Sequence, residues 1–342
     1  MQKNYKKLFL ASNGAEGFVS YFKESYNPRE GWRAFIIKGG PGTGKSSIMK
    51  TVAKSAKAAG CDPVLVFCSS DPDSLDGVII NEKKAIILDG TAPHIVEPTL
   101  YGACEITVNP GDYLNIETLR ENFAEIREKT DENKFYHLAA SRYLSAAGQV
   151  KKDNLRLSYS ALDVLKAQKY ATYLAQKYFV KKEKAPGTSF NCFLNAVTSK
   201  GVVDYGDTID LWCEKKVVIE DKYLAATGEI MRIIKAKAQS AGYDVVSLND
   251  PLYPDVCRHV IIPELSLGFF TESRELKFET DARRIHARRF YDNHALSGIK
   301  NRMRFNNKVY DELIKCASLN LKKAKQIHDI IEEYYIEAMD FG

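Results

Sequence analysis

The residues best suited to chemistry in this 342-residue chain lie in one short stretch: Gly39, Gly40, Pro41, Gly42, Thr43, Gly44, Lys45, Ser46 and Ser47. The first eight fit the pattern G-x-x-x-x-G-K-[ST] at every fixed position. Glycines let the backbone turn tightly and aim successive N–H groups at phosphate oxygens. A helix that begins there presents its positive dipole end to the same anions. Lys45 adds a point charge for β- and γ-phosphates, and the Ser46 hydroxyl is suited to ligate Mg²⁺. The competing reading is a Gly-rich strand-to-helix turn carrying a solvated lysine. The flanks disfavour it, because residues 34–37 are apolar and strand-like and residues 46–59 have a helical pattern.

A second set of candidates follows. The apolar run 85–88 ends in Asp89, the Walker B form, whose carboxylate would hold Mg²⁺ beside Ser46. Many ATPases place a glutamate next to activate water, but this chain has Gly90. Substitute bases could come from Asp71, Asp73 or Asp76, or from His94 in the turn 90–94. For the aspartates, turn-forming or capping roles compete with catalysis. For His94, a place in the site competes with a plain surface position.

The elements that must position these residues have an α/β pattern. After the 46–59 helix come apolar runs at 64–67, 78–80 and 85–88, with a polar stretch at 68–77. A long helical region spans about 114–179. Residues 181–188 have a linker composition, dividing the chain into a domain at 1–180 and another at 189–342. Composition is that of a soluble globular protein, with 45% hydrophobic and 27% charged residues and a net charge of +5. Seven cysteines without a C-x-x-C spacing suggest neither zinc nor a disulfide framework. No stretch approaches the roughly 20 apolar residues of a membrane span, and the basic start has too short an apolar run for a signal peptide. A cytoplasmic protein is expected.

Compared with itself, the chain repeats. Ile48-Met49-Lys50 returns as Ile230-Met231-Arg232, Ala59-Gly60-Cys61-Asp62 as Ala241-Gly242-Tyr243-Asp244, and Val78-Ile79-Ile80 as Val260-Ile261-Ile262, all in one register. After a short deletion, Ala140-Ser141 pairs with Ala317-Ser318 and Leu144 with Leu321. The chemistry is missing from the second copy: Lys45 falls on Thr227, Ser46 on Gly228, Asp89 on Thr271, and the loop glycines on Asp221, Leu224 and Ala226. The joint loss marks Lys45, Ser46, Asp89 and residues 91–94 as one functional set. Two tandem P-loop NTPase-like domains are expected, each a mainly parallel sheet flanked by helices and followed by a helical segment, the second without a phosphate site.

Residues 37–46, 68–80 and 88–94 together resemble a bacterial family of tandem P-loop proteins described as ATPases or ATP-binding proteins of unassigned role. The resemblance implies ATP as the nucleotide, held at Lys45, Ser46 and Asp89, and leaves the substrate open. Slow Mg²⁺-dependent ATP hydrolysis is one expectation. A kinase for a small-molecule or nucleoside acceptor is another, with the helices carrying Arg120, Arg127 and Arg142 as a lid. A non-hydrolysing switch acting on a protein or nucleic-acid partner is a third. The basic segment 274–304 could be a solvated face, a nucleic-acid contact, or the source of an arginine finger. The apolar spacing of Leu319, Leu321, Ile327, Ile330, Ile331, Tyr334 and Tyr335 marks a core or dimer face.

Overall fold

Short apolar runs become strands here because helices and loops cover both faces of each sheet. The computed structural model describes residues 4–340. The first half contains β1 (Lys6–Leu8), β2 (Ala11–Gly14), β3 (Gly17–Ser20), β4 (Arg33–Ile37), α1 (Lys45–Ala58), β5 (Val64–Phe67), β6 (Leu75–Ile80), β7 (Ala85–Asp89) and β8 (Glu105–Val108). The helices α2 (Ile116–Glu121), α3 (Phe123–Ser160) and α4 (Val164–Tyr178) follow. The second half contains β9 (Ser189–Cys192), β10 (Asn195–Thr198), β11 (Gly201–Asp204), α5 (Ile209–Trp212), β12 (Lys215–Glu220), α6 (Ala225–Ser240), β13 (Val245–Asn249), β14 (Cys257–Ile262), β15 (Leu267–Glu272), β16 (Arg283–His286) and α7 (Asn293–Glu337).

Both halves build the same sheet. The orders are β1-β5-β6-β7-β4-β8 and β9-β13-β14-β15-β12-β16, and β2-β3 and β10-β11 form matching hairpins. In each sheet the third strand, β6 or β14, runs antiparallel to both neighbours while the other pairings are parallel. Register follows the sequence repeat: Ile37 lies opposite Asp89 as Ile219 lies opposite Thr271. Beyond the deletion, Ile36 lies opposite Thr107 as Val218 lies opposite Arg284.

The halves meet about a pseudo-two-fold axis, as two subunits would across an isologous interface. Phe9 and Phe193 exchange both backbone hydrogen bonds, at 2.9 and 2.8 Å. Ala15 N donates to Leu252 O, and its counterpart Ser199 N donates to Ser70 O. The helices α3 and α7 pack antiparallel, with Asn133 bonded to Ala324 O near one end and Asn154 to Asn307 near the other. At their crossing lie Ala140, Leu144, Ala317 and Leu321, all buried and all in the repeat's register. The small alanines allow the close approach that a larger residue would block.

Packing adds two details to the sequence pattern. Leu162, Ala167, Ala171 and Leu174 of the α4 region, within the span 1–180, are buried with α6 and the second sheet. An amphipathic helix joins whichever apolar face it can cover, and here that is α6. Within the polar stretch 68–77, Leu75 already pairs with Phe67 as β6 begins. No helix among the described residues is long and apolar enough to cross a membrane.

Candidate functional site

The loop 39–46 joins the carboxyl end of β4 to α1. Gly42 and Gly44 adopt φ of 70° and 79°, which favour glycine, and Gly44 serves as the N-cap of α1. Gly39 fits closely too, since a Cβ there would lie 2.6 Å from Thr43 Oγ1. Thr43 is buried and bonds Gly40 O. Lys45 folds back over the loop, its Nζ 2.8 Å from Gly39 O, 2.7 Å from Gly40 O and 3.7 Å from Asp89 Oδ2. Asp89 ends β7, where Thr91 N and Oγ1 bond its other oxygen. Ser46 Oγ accepts from Leu75 N at 3.0 Å, which brings the start of β6 to the same place. Lys45, Ser46 and Asp89 are therefore brought together at one end of the first sheet. Ser47, the next residue of α1, bonds Thr51 only through its carbonyl.

The substitute bases separate into two groups. Asp71 caps its own turn, bonding Asp73 N and Ser74 Oγ, and meets Lys325 of α7. Asp73 is exposed and paired with Lys200. Both hold the turn and its contacts with the second half, as capping chemistry predicts. Asp76 and His94 are different. His94 is buried, stacked on Phe22 at 4.5 Å, with Nε2 3.1 Å from Asp76 Oδ2, so the surface-histidine reading is wrong. Neither Asp76 Oδ2 nor His94 Nδ1 has a hydrogen-bond partner. The β6–β7 pairing runs to Gly77 opposite Leu88, so Asp76 and Asp89 lie at the same end of the sheet, with Asp76 at a bulge against β5.

Gly90 leaves no place for a glutamate. A Cβ there would lie 2.3 Å from Ile36 Cγ2, and Lys38 Nζ already bonds Gly90 O and Glu97.

The end of α7 was not foreseen at this site. Glu332 accepts from Gly42 N at 3.2 Å, and a Cβ on Gly40 would lie 2.6 Å from the Tyr335 ring. Tyr335 had been read as core or dimer face. One sequence signal was available: the repeat's register pairs Glu332 with Leu155, a carboxylate where the other copy has an apolar residue.

The chain matches no protein-family model, and no curated protein or solved structure is significantly similar to it.

The corresponding loop of the second half keeps one left-handed turn but loses the chemistry, and its helix α6 begins two repeat positions earlier, at Ala225 with Leu224 as N-cap. Leu224 holds Gly42's left-handed conformation at φ 65°. The buried Asp221 accepts from Tyr223 N, Thr227 N, Thr227 Oγ1 and Tyr291 Oη. Burial first, and Asp221 second, push the Tyr291 phenol far above its ordinary value, so it remains a donor. Nearby, burial opposes ionisation of Asp250, yet Lys151 and Arg258 hold it well below the usual carboxylate range.

The basic segment 274–304 is largely engaged. Arg274 grips Asp311 with two bonds of 2.8 Å, Arg284 bonds Glu272, and Arg302 bonds Asp153. An arginine finger from Arg302 is excluded by length: thirty helical residues separate it from Glu332, about 45 Å at 1.5 Å per residue. The helix α3 packs against α7, with its far end at the second half.

Proposed function

We propose that the first half is a P-loop nucleotide site that binds Mg²⁺ and ATP and hydrolyses ATP slowly. The observation that carries this reading is the strand–loop–helix unit itself: two left-handed glycines direct the loop, and α1 begins at Lys45 beside Asp89. Amides of residues 40–46 would hold phosphate oxygens and Lys45 would face the β- and γ-phosphates. The available donors also suit Mg²⁺: Ser46, Asp89 and Asp76, whose Oδ2 faces the His94 ring nitrogen, form an all-oxygen set, which a hard cation prefers. When bound, Mg²⁺ would neutralise charge on the phosphates. Slow turnover is inferred from Gly90, where packing against Ile36 bars a carboxylate base. The same observation favours a second reading, in which ATP is held without turnover as a switch.

The test follows the γ-phosphate of labelled ATP with Mg²⁺, alone and with pools of acceptors. Lys45→Ala is expected to lower ATP affinity by about 100-fold or more, a loss of at least ~2.7 kcal/mol. Thr227→Ala is expected to leave it unchanged. Equal losses in both variants would sink the asymmetric reading. Turnover strictly dependent on an acceptor would identify a kinase instead.

A further inference from the structure

The tail of α7 lies where a nucleotide's phosphates would have to enter. Glu332 takes the Gly42 amide, Tyr335 covers Gly40, and a Cβ on Gly42 would lie 2.8 Å from the Glu332 carbonyl oxygen. The chain beyond the helix secures this arrangement. Asn115 N donates to Ala338 O at 2.7 Å, Asp340 N donates to Tyr113 O at 2.9 Å, and Leu114 bridges Met339. Residues 113–115 come shortly after β8, the strand beside β4, so the strap is fixed to the same sheet that carries the loop. Where the second half has lost its phosphate chemistry, the residue at the Glu332 position of the repeat is Leu155 of α3, which has no carboxylate to offer and lines a cavity with Leu224.

We propose that Glu332 is a built-in competitor for the phosphates, so that docking of the α7 tail and nucleotide binding exclude each other. This rests on the nucleotide-site reading and adds its regulation. The Gly42 amide has one proton to donate, and a carboxylate bound to it occupies the position of a phosphate oxygen. Two anions at that half-buried spot repel each other. Nucleotide entry therefore drives Glu332 off Gly42 and loosens the strap between 113–115 and 338–340. The coupling is reciprocal: whatever lifts the tail tightens nucleotide binding by the same factor.

The test uses the full chain and Mg·ATP, comparing the native protein with Glu332→Ala and with Glu333→Ala, which removes the same charge from the exposed neighbour. Affinity is read by equilibrium titration, and strap opening by hydrogen exchange of residues 113–115 and 332–340. Glu332→Ala is expected to bind roughly 10-fold tighter, within the usual range of coupling between sites. Glu333→Ala should match the native protein, and saturating ATP should raise exchange in both strap segments. Unchanged or weaker affinity in Glu332→Ala, an equal gain in Glu333→Ala, or a strap indifferent to ATP overturns the competition and leaves the nucleotide reading intact. No binding by any of the three proteins overturns both.

Discussion

The two loops, 39–46 and 221–228, share one left-handed turn and put it to opposite uses. Gly42 and Leu224 share the left-handed conformation, but α6 begins directly after Leu224, whereas a second left-handed residue, Gly44, precedes α1. In the second loop the anion is covalently part of the protein. Asp221, standing where the first copy has Gly39, ties up Thr227 N, Tyr223 N and the Tyr291 hydroxyl. In the first loop no residue of the loop itself supplies an anion, and Glu332 reaches only one amide from a distant helix. The first turn is left open by the absence of an internal acid, whereas Asp221, together with the earlier start of α6, makes the second a fixed joint. A parallel exchange happens one strand away. Asp76, suited to a cation, is replaced by Arg258, which brings a permanent cation and pairs with Asp250 at 2.8 Å.

Removing the internal anion is the largest way to break this comparison. Asp221→Ala strands several buried donors, each costing about 1–3 kcal/mol, so a stability loss of about 3 kcal/mol is expected in urea denaturation. ATP affinity should not change, and a loss below about 1 kcal/mol would show that Asp221 does not hold the loop. Acid should act next. Burial, with Arg258 beside it, pushes His259 down to about 3 from 6.5, and its Nδ1 accepts from Thr271 N. Between those values the unfolded chain binds more protons than the folded one, so stability falls as pH falls, by about 2 kcal/mol at pH 5. His259→Gln should flatten that dependence between pH 7 and pH 5. If both proteins respond equally to acid, His259 is not the source. The smallest effect concerns Leu224. Its left-handed backbone costs about 1–2 kcal/mol, so Leu224→Gly regains in strain much of what it loses in packing and is expected within about 1 kcal/mol of the native protein. A loss of several kcal/mol would mean that packing, not strain, governs the position.

What could be read from the sequence was local or periodic. Residues 39–46 declare their turn because positive φ selects glycine. Asp89 closes a strand whose apolar run is visible, and the repeat gave the register that Ile37–Asp89 and Ile219–Thr271 display. Contacts that depend on docking were not legible. The apolar face of α4 does not say which sheet it covers, and the burial of His94 depends on Phe18 and Phe22, which are distant in the chain. The spacing of Ile327, Ile331 and Tyr335 marked a packed face correctly in kind. It could not say that the face ends on Gly40 and Gly42, because that contact follows from the crossing of α3 and α7 at Ala140 and Ala317.

That crossing also sets an order of events during synthesis. The loop and its sheet are complete once β8 is made, whereas the cover for the loop lies in the last turns of the last helix. Roughly two hundred residues separate them, and at ~5–20 residues per second the ribosome needs about ten to fifty seconds to bridge that interval. For that time the nascent chain carries its glycine loop without Glu332, and whatever anion the loop first meets comes from the surroundings.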